Sequence, residues 1–277
     1  MSEMGSAETR NAIAAEAMRG RRRGFVTKAE TGIITFPRAK FLADVWQYDA
    51  GEHATFLAPS GGGKTQIAFD VLGVTARPEL PATIFVMKPR DTTVEHFATA
   101  HHYRIVRDWP PAQIKVLDRY FNGKPSGYVL WPPETGAPDL DDERHERIFR
   151  RCLRMTYVAG GKKGKAHQDA IIFADETYSL EHELGMTPDL NRIWTKGRSL
   201  GVGLWAASQR PVFISRWALQ AQHLFLGFDP DRKMQERYGE IGGGIDPEIV
   251  KSLVAQLERF QFLYIHRDDR TMCIVDA

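Results

Sequence analysis

Short apolar runs alternate along the chain with segments in which apolar residues recur at helical spacing. Apolar runs of this length predict buried strands, and the amphipathic segments between them predict helices. The predicted strands are 32–36, 54–57, 81–87, 128–131, 170–174, 202–208 and 223–228. Because strands and helices alternate, the pattern predicts an α/β fold with a central, mainly parallel β-sheet flanked by helices.

The helical segments have recognisable starts and charge patterns. Helices are predicted at 66–72, 140–157, 188–199 and 215–220, and two more before residue 260. Another helix is predicted to begin at a cap formed by Thr92 or Thr93 and to end at Phe97. In the long helix, Glu143–Arg147 and Glu146–Arg150 are four residues apart. Its charged residues, including Asp141 at the acidic start, are predicted to form a solvated face.

The two ends of the chain differ in character. Residues 1–24 are rich in Ala, Glu and Arg and predict a flexible basic arm, which serves either as a nucleic-acid or partner contact or as a solvated tail. Segments 260–266 and 271–275 predict a terminal β-hairpin around Asp268-Asp269. Residues 25–277 are therefore predicted to form one domain that ends in this hairpin.

The composition sets limits on the class of protein. The 277 residues are 43% hydrophobic, which is enough for one substantial core, and the net charge of +2 neither indicates nor excludes a nucleic-acid partner. Cys152 and Cys273 form no metal-ligand pattern and are predicted to be reduced thiols. No apolar run approaches the roughly 20 residues that cross a bilayer. The expectation is a cytoplasmic protein without a membrane span.

A glycine-rich segment follows the predicted strand 54–57. It reads Ala58-Pro-Ser-Gly-Gly-Gly-Lys-Thr65 and leads directly into a predicted helix. A strand, a glycine turn and Lys-Thr at a helix start form a phosphate-binding P-loop. The predicted nucleotide-binding residues are Ser60, Gly61, Gly62, Gly63, Lys64 and Thr65. Ala58 replaces the usual first glycine of the motif, and its small side chain is predicted to be tolerated.

Each part of this segment has a role in binding ATP and Mg²⁺. Without side chains, the glycines allow backbone N–H groups to surround the phosphates. The Lys64 ammonium can reach the β- and γ-phosphates, and the Thr65 hydroxyl can ligate Mg²⁺. The start of the helix adds partial positive charge where the phosphates lie.

A second motif lies at the end of the apolar run 170–174. The run is followed by Asp175-Glu176, which is the Walker B pattern of two adjacent carboxylates after a buried strand. Asp175 is predicted to hold Mg²⁺ through water, and Glu176 to orient and deprotonate the attacking water. A base for water favours an ATPase over a metabolite kinase, which must exclude water.

The segment Lys196-Gly-Arg-Ser-Leu-Gly-Val-Gly-Leu-Trp-Ala-Ala-Ser-Gln-Arg-Pro211 resembles the FtsK/HerA superfamily of P-loop ATPases. In that superfamily an arginine near a helix end, a strand that begins at glycine and a Gln-Arg-Pro ending recur in this order, within the wider ASCE class. The resemblance implies that Arg198 is an arginine finger inserted into a neighbouring subunit's site. Arg192 and Arg210 are rival fingers, and a helix C-cap cation is the alternative for Arg198. By the same likeness Gln209 senses the γ-phosphate.

The superfamily includes DNA translocases, conjugation ATPases and viral genome-packaging ATPases. The likeness therefore implies an ATP-driven motor that moves double-stranded DNA, most readily into a phage or viral capsid. It implies a homo-oligomeric ring, a pentamer or hexamer, docked at a portal or capsid vertex. Two alternatives stay open: a plasmid or conjugative DNA-transfer ATPase, and a nucleotide-switched interaction module that translocates nothing.

A basic, glycine-containing segment precedes the Walker B strand. Lys162, Lys163 and Lys165 lie within Gly160-Gly-Lys-Lys-Gly-Lys165, where glycines allow the backbone to approach DNA phosphates. These lysines are predicted to bind DNA without reading its sequence. The alternative is a flexible, solvated loop.

Overall fold

The computed structural model describes residues 31–112, 124–209 and 211–277. The predicted basic arm, 1–24, lies outside these ranges. The described chain contains a ten-stranded, mainly parallel β-sheet with flanking helices, which confirms the predicted α/β class. Among the helices of the described ranges, none combines the length and apolar character needed to cross a membrane.

Ten strands and seven α-helices make up most of the described chain. The strands are β1 Thr35–Pro37, β2 Ala54–Leu57, β3 Ala82–Phe85, β4 Tyr103–Val106, β5 Gly127–Leu130, β6 Ala170–Ala174, β7 Val202–Ser208, β8 His223–Gly227, β9 Phe262–His266 and β10 Thr271–Asp276. The α-helices are α1 Arg38–Asp44, α2 Lys64–Thr75, α3 Thr92–Ala100, α4 Pro138–Gly160, α5 Thr187–Lys196, α6 Arg232–Glu236 and α7 Pro247–Val254. Short 3₁₀ segments are Gly164–Ala166, Arg198–Leu200, Pro211–Phe213, Arg216–Gln220 and Arg237–Glu240, and a π-helical turn spans Ser179–Glu183.

The chain divides into two compact units. The first contains the described residues of 1–47, Ala54–Ala68 and Ser208–Ala277. Within it the strand order is β1-β10-β9-β8-β2, with β9 antiparallel to both neighbours and the other pairs parallel. Its core includes Phe56 stacked on Phe225 with ring centroids 4.7 Å apart, and Phe41 against Tyr264 at 4.8 Å. The predicted terminal hairpin is confirmed as β9–β10.

The second unit contains Tyr48–His53 and Phe69–Ala207. Its strand order is β7-β6-β3-β5-β4, and every pair is parallel. Strands β3 and β6 are buried at every position, as their continuous apolar runs predict. Aromatic stacks attach helices to them: Phe149 of α4 lies on Phe85 of β3, with ring centroids 4.5 Å apart.

Several elements differ from the sequence predictions. Strand β4 is not predicted, because its burial does not follow polarity: Arg104 is buried and its guanidinium donates to the Ala112 carbonyl, whereas Ile105 is 40% exposed. The predicted helix 188–199 ends as an α-helix at Lys196 and continues as a 3₁₀ turn after Gly197. The segment predicted as a helix at 215–220 is also a 3₁₀ turn.

Two further predictions are wrong, one of a helix cap and one of a solvated charged residue. Asp91, not Thr92 or Thr93, caps α3, because its carboxylate accepts from the backbone N–H groups of Thr93 and Val94 at 3.0 and 3.1 Å. Asp141 of α4 is buried instead of solvated and accepts from the Thr135 and Gly136 N–H groups. In contrast, the predicted pair Glu146–Arg150 is present at 2.7 Å.

Candidate nucleotide site

The glycine-rich loop of the first unit has the backbone that phosphate binding requires. Gly61 and Gly63 have φ angles of 72° and 86°, a left-handed region that disfavours residues with a side chain. The Gly62 N–H donates to the Pro59 carbonyl at 3.0 Å, and a Cβ at Gly62 would lie 3.0 Å from that oxygen. Helix α2 begins at Lys64, so the loop ends at a helix N-terminus with its partial positive charge.

The alanine that replaces the usual first glycine is accommodated by another glycine. Ala58 is buried, and a Cβ at Gly227 would lie 2.8 Å from the Ala58 Cβ. A side chain at position 227 would therefore overlap the Ala58 methyl group. The absence of a side chain at Gly227 provides the space for Ala58, consistent with the predicted tolerance.

The residues of the glycine-rich loop range from exposed to buried, and this range of exposure suits a bound phosphate. Ser60 and Gly61 are exposed, Gly62, Gly63 and Thr65 are half-buried, and Lys64 is only 6% exposed. A buried lysine has less water around its ammonium, so a phosphate contact there is stronger than at the surface. These exposures agree with the predicted role of the loop.

In the second unit, the Walker B carboxylates follow the last residue of β6. Asp175 is buried and Glu176 is half-buried. Both line a small cleft with Phe85, Val86, Met87, Lys88, Asp91, Val94 and Leu180. The lining combines apolar side chains with the charged groups Lys88, Asp91, Asp175 and Glu176, and electrostatic interactions beside apolar groups are stronger than in open solvent.

Lys88 is the residue of this cleft that sequence reasoning missed. Its Nζ donates to Asp175 Oδ2 at 3.3 Å and lies 3.9 Å from Glu176 Oε1. Asp91 Oδ2 lies 3.7 Å from the same Nζ. One ammonium is therefore surrounded by three carboxylates, which leaves an excess of negative charge. The sequence did contain a signal for it, because Lys88 follows a predicted buried strand. Residues that follow parallel strands lie at the same edge of the sheet, where ligands bind.

Neighbouring groups fix the backbone and the charge of Lys88. The indole N–H of Trp131 donates to the Lys88 carbonyl at 2.7 Å. Burial by itself lowers the pKa of Lys88, but the nearby Asp175 and Glu176 carboxylates outweigh it and raise the pKa above its usual value. Lys88 is therefore charged and held beside the residues predicted to bind Mg²⁺ and activate water.

Other predicted residues occupy varied positions. Gln209 directly follows β7 and is half-buried, and Arg198 is exposed at the first position of the 3₁₀ turn after α5. The rival Arg192 has its Nη1 3.9 Å from buried Asp189. Asp189 also contacts Arg154 and Arg150, at 3.1 and 3.4 Å, so Arg192 belongs to a charge cluster between α4 and α5. Arg210 lies outside the described residues.

The predicted DNA-binding lysines lie after the end of α4. Lys162 and Lys163 are exposed, and Lys165 lies in the 3₁₀ turn Gly164–Ala166. His167 links two parts of this segment through its imidazole ring. Its Nδ1 is 2.9 Å from the Gly160 carbonyl oxygen and its Nε2 is 2.7 Å from the Asp169 carboxylate. Both partners are acceptors, so a neutral imidazole can donate to only one of them. The hydrogen bond to Asp169 and then that to Gly160 raise the pKa of His167.

Each of the two motifs fits the group that it is predicted to bind. The loop has three glycines at positions where side chains would be strained or crowded, which leaves the backbone bare for phosphates. The Thr65 hydroxyl and the Asp175 carboxylate are oxygen ligands of the kind that Mg²⁺ prefers. The excess of carboxylates around Lys88 also suits a divalent cation.

These motifs in a mainly parallel α/β sheet define the fold of a P-loop NTPase, and solved structures agree. The DNA-packaging ATPase B204 of Sulfolobus turreted icosahedral virus matches with a TM-score of 0.54 and 13% sequence identity, over 82% of this chain and 98% of that chain. The genome-packaging NTPase B204 of Sulfolobus turreted icosahedral virus 2, in complex with AMPPCP, matches with a TM-score of 0.51 and 13% identity, over 82% and 97%.

No protein-family model and no curated protein matches the chain. At 13% identity the two B204 structures show a shared fold and nothing finer. The P-loop NTPase fold that the sequence predicts is thus confirmed.

Proposed function

We propose that this protein is a Mg²⁺-dependent ATPase that moves double-stranded DNA, acting as the genome-packaging motor of a phage or virus. The observation that carries the proposal is the Asp175-Glu176 pair at the end of β6, in a chain that also has the phosphate loop 58–65. The similarity of the fold to a viral DNA-packaging ATPase supports the choice of DNA as the partner.

The chemistry assigns a separate task to each residue. Backbone N–H groups of Ser60, Gly61 and Gly63 and the Lys64 ammonium bind the phosphates of ATP, whereas the Gly62 N–H closes the loop on the Pro59 carbonyl. Thr65 and Asp175 hold Mg²⁺, which when bound neutralises charge that develops on the phosphate oxygens. Glu176 accepts a proton from the attacking water at its carboxylate. Gln209, just after β7, contacts the γ-phosphate and responds to its loss.

Lys88 positions the two carboxylates in this scheme. Its ammonium is nearer to Asp175 than to Glu176, so it neutralises the metal-binding residue first. A cation that binds Asp175 must share the carboxylate with this ammonium. Lys88 thereby influences both the affinity for Mg²⁺ and the direction in which Glu176 points.

The motor requires a ring and a grip on DNA. Arg198 is exposed, as an arginine finger that enters a neighbouring subunit's site must be. A finger supplied in trans implies an oligomer, and we propose a closed homo-oligomeric ring, a pentamer or hexamer, that docks at a portal or capsid vertex. Exposed Lys162 and Lys163, together with Lys165, contact DNA phosphates without reading bases.

The direct test measures ATP hydrolysis with and without double-stranded DNA. A motor is stimulated by DNA, and replacing Lys162, Lys163 and Lys165 with Ala removes the stimulation but leaves basal hydrolysis intact. A charge-matched control replaces three exposed lysines elsewhere, Lys40, Lys124 and Lys233, and keeps the stimulation. Wild-type hydrolysis that is indifferent to DNA would refute the motor and favour the interaction module. Equal stimulation in the first triple variant would refute the lysine assignment.

A further inference from the structure

A strained aromatic residue lies beside the phosphate loop. Phe260 sits in the turn 258–261, between α7 and β9, with a φ of 69°. A bulky residue in this left-handed region is an outlier, because the side chain crowds the backbone. Such strain persists where the surrounding structure fixes it, and it clusters at ligand-binding sites.

The turn that holds Phe260 is fixed by three hydrogen bonds. The Gln261 N–H donates to the Glu258 carbonyl at 3.1 Å, and the Glu258 N–H donates to Gln261 Oε1 at 3.0 Å. The Gln261 amide nitrogen then donates to Asp276 at 3.3 Å, which attaches the turn to the end of β10. These hydrogen bonds fix the backbone of the turn from which the Phe260 side chain projects.

The edge of the Phe260 ring contacts the phosphate loop, and part of the ring surface is exposed. A Cβ at Gly63 would lie 3.0 Å from Phe260 Cδ1, so the ring edge is in close contact with the loop. The Arg259 guanidinium lies 4.6 Å from the ring centroid, as in a cation–π pair. Phe260 nevertheless remains 37% exposed. Packing of the core does not account for an exposed aromatic ring in a strained turn.

We propose that Phe260 is the residue on which the base of the bound nucleotide stacks, with Arg259 orienting the ring. The inference rests on the proposed function, because it takes the loop 60–65 as the phosphate site. Phosphates fixed there leave the nucleoside to extend along the neighbouring surface, and Phe260 borders the loop at Gly63. Every base has a π-face, so an aromatic ring can hold it without a hydrogen-bond pattern.

The test distinguishes contact of Phe260 with the nucleotide base from a structural role in which Phe260 only supports the phosphate loop. The ligands are ADP and pyrophosphate, both with Mg²⁺, because pyrophosphate has the phosphates but no base. Two variants remove the ring: Phe260→Leu, and Phe260→Asn, whose side chain tolerates a positive φ and so relieves the strain. Phe260→Tyr keeps the ring and is the matched control. Binding is measured by isothermal titration calorimetry, which requires no turnover.

The expected result is a selective loss of ADP affinity. Both ring-less variants bind ADP about tenfold more weakly, the change typical of one lost base–aromatic stack, and bind pyrophosphate within about twofold of the wild type. Unchanged ADP affinity in a folded ring-less variant overturns the proposal, and so does an equal loss for both ligands. Wild-type protein that binds neither ligand refutes the nucleotide site itself, and this proposal with it.

Discussion

At the scale of single residues, Lys88 shows what the fold adds to the sequence. Lys88 and Asp175 are 87 positions apart, and the contact between them exists because β3 and β6 are adjacent and parallel. Phe85 is paired with Ala174, so the segments after both strands emerge at the same edge of the sheet. The sequence predicted both strands and the carboxylate pair. It did not predict which strands are neighbours, and Lys88 was therefore missed.

Replacing Lys88 with Met tests whether its ammonium competes with Mg²⁺. We expect the Mg²⁺ concentration that gives half-maximal ADP binding to fall, because Asp175 loses a competing cation. The Lys88 side chain is 44% exposed, so solvent screens the ion pair and the effect is about 0.5–1 kcal/mol, or roughly two- to fivefold in Mg²⁺ concentration. The measurement is a Mg²⁺ titration at fixed ADP.

Two controls bracket this experiment. Lys88→Arg keeps a cation beside the carboxylates and should stay close to the wild type. Lys251→Met removes an ion pair with Glu248, at 2.7 Å in α7, and should leave the Mg²⁺ requirement unaltered. An unchanged or higher requirement in Lys88→Met would contradict the assignment of Lys88.

At the scale of elements, the predictions succeed where the apolar pattern is continuous and fail where local interactions decide. Strands β2, β3, β6 and β7 are mostly apolar, are buried at every position and were predicted. Strand β4 was not predicted, because its polar Arg104 is buried and its apolar Ile105 is exposed, which is the reverse of the usual relation between polarity and burial. Phe260 could not be found either, because its importance depends on the backbone of a turn and on contact with a distant loop.

The segment 160–169 carries a pH dependence that can be predicted with its sign. Because the folded protein raises the pKa of His167, the doubly bonded imidazolium stabilises the fold below the usual pKa of about 6.5. This stabilisation is lost as the pH rises through the raised folded pKa, when one of the two bonds is broken. An NMR titration of His167 should show the raised pKa directly.

Substitution of Asp169 provides the control for His167. Asp169→Asn removes the largest cause of the shift and should return the pKa of His167 towards its usual value. The difference in melting temperature between wild type and His167→Gln should also shrink with rising pH. A His167 that titrates at or below its usual value in the wild type would contradict this description of its hydrogen bonds.

At the scale of the whole molecule, the sequence predicted the fold class and its P-loop NTPase character, and the B204 structures share that fold. The proposed ring and trans finger depend on contacts between subunits, which the pattern of apolar runs in one chain does not encode.

Mixing two inactive variants tests the ring and its finger together. Arg198→Ala and Lys64→Ala should each hydrolyse ATP poorly, but mixed rings contain sites with Lys64 from one subunit and Arg198 from another. Random assortment predicts recovery of roughly a quarter of wild-type activity in an equal mixture. Arg192→Ala, which loses only a contact with Asp189, should stay active by itself. A mixture that recovers nothing would exclude Arg198 as a finger acting in trans.

The most direct test of the central claim, that this chain hydrolyses ATP at its Walker B carboxylates, is the turnover of Glu176→Gln. The amide matches the carboxylate in shape but cannot accept the proton of the attacking water. We expect hydrolysis to fall by about 100- to 10,000-fold while ATP binding persists. Undiminished turnover in a folded Glu176→Gln protein would contradict the assignment of Glu176 as the base.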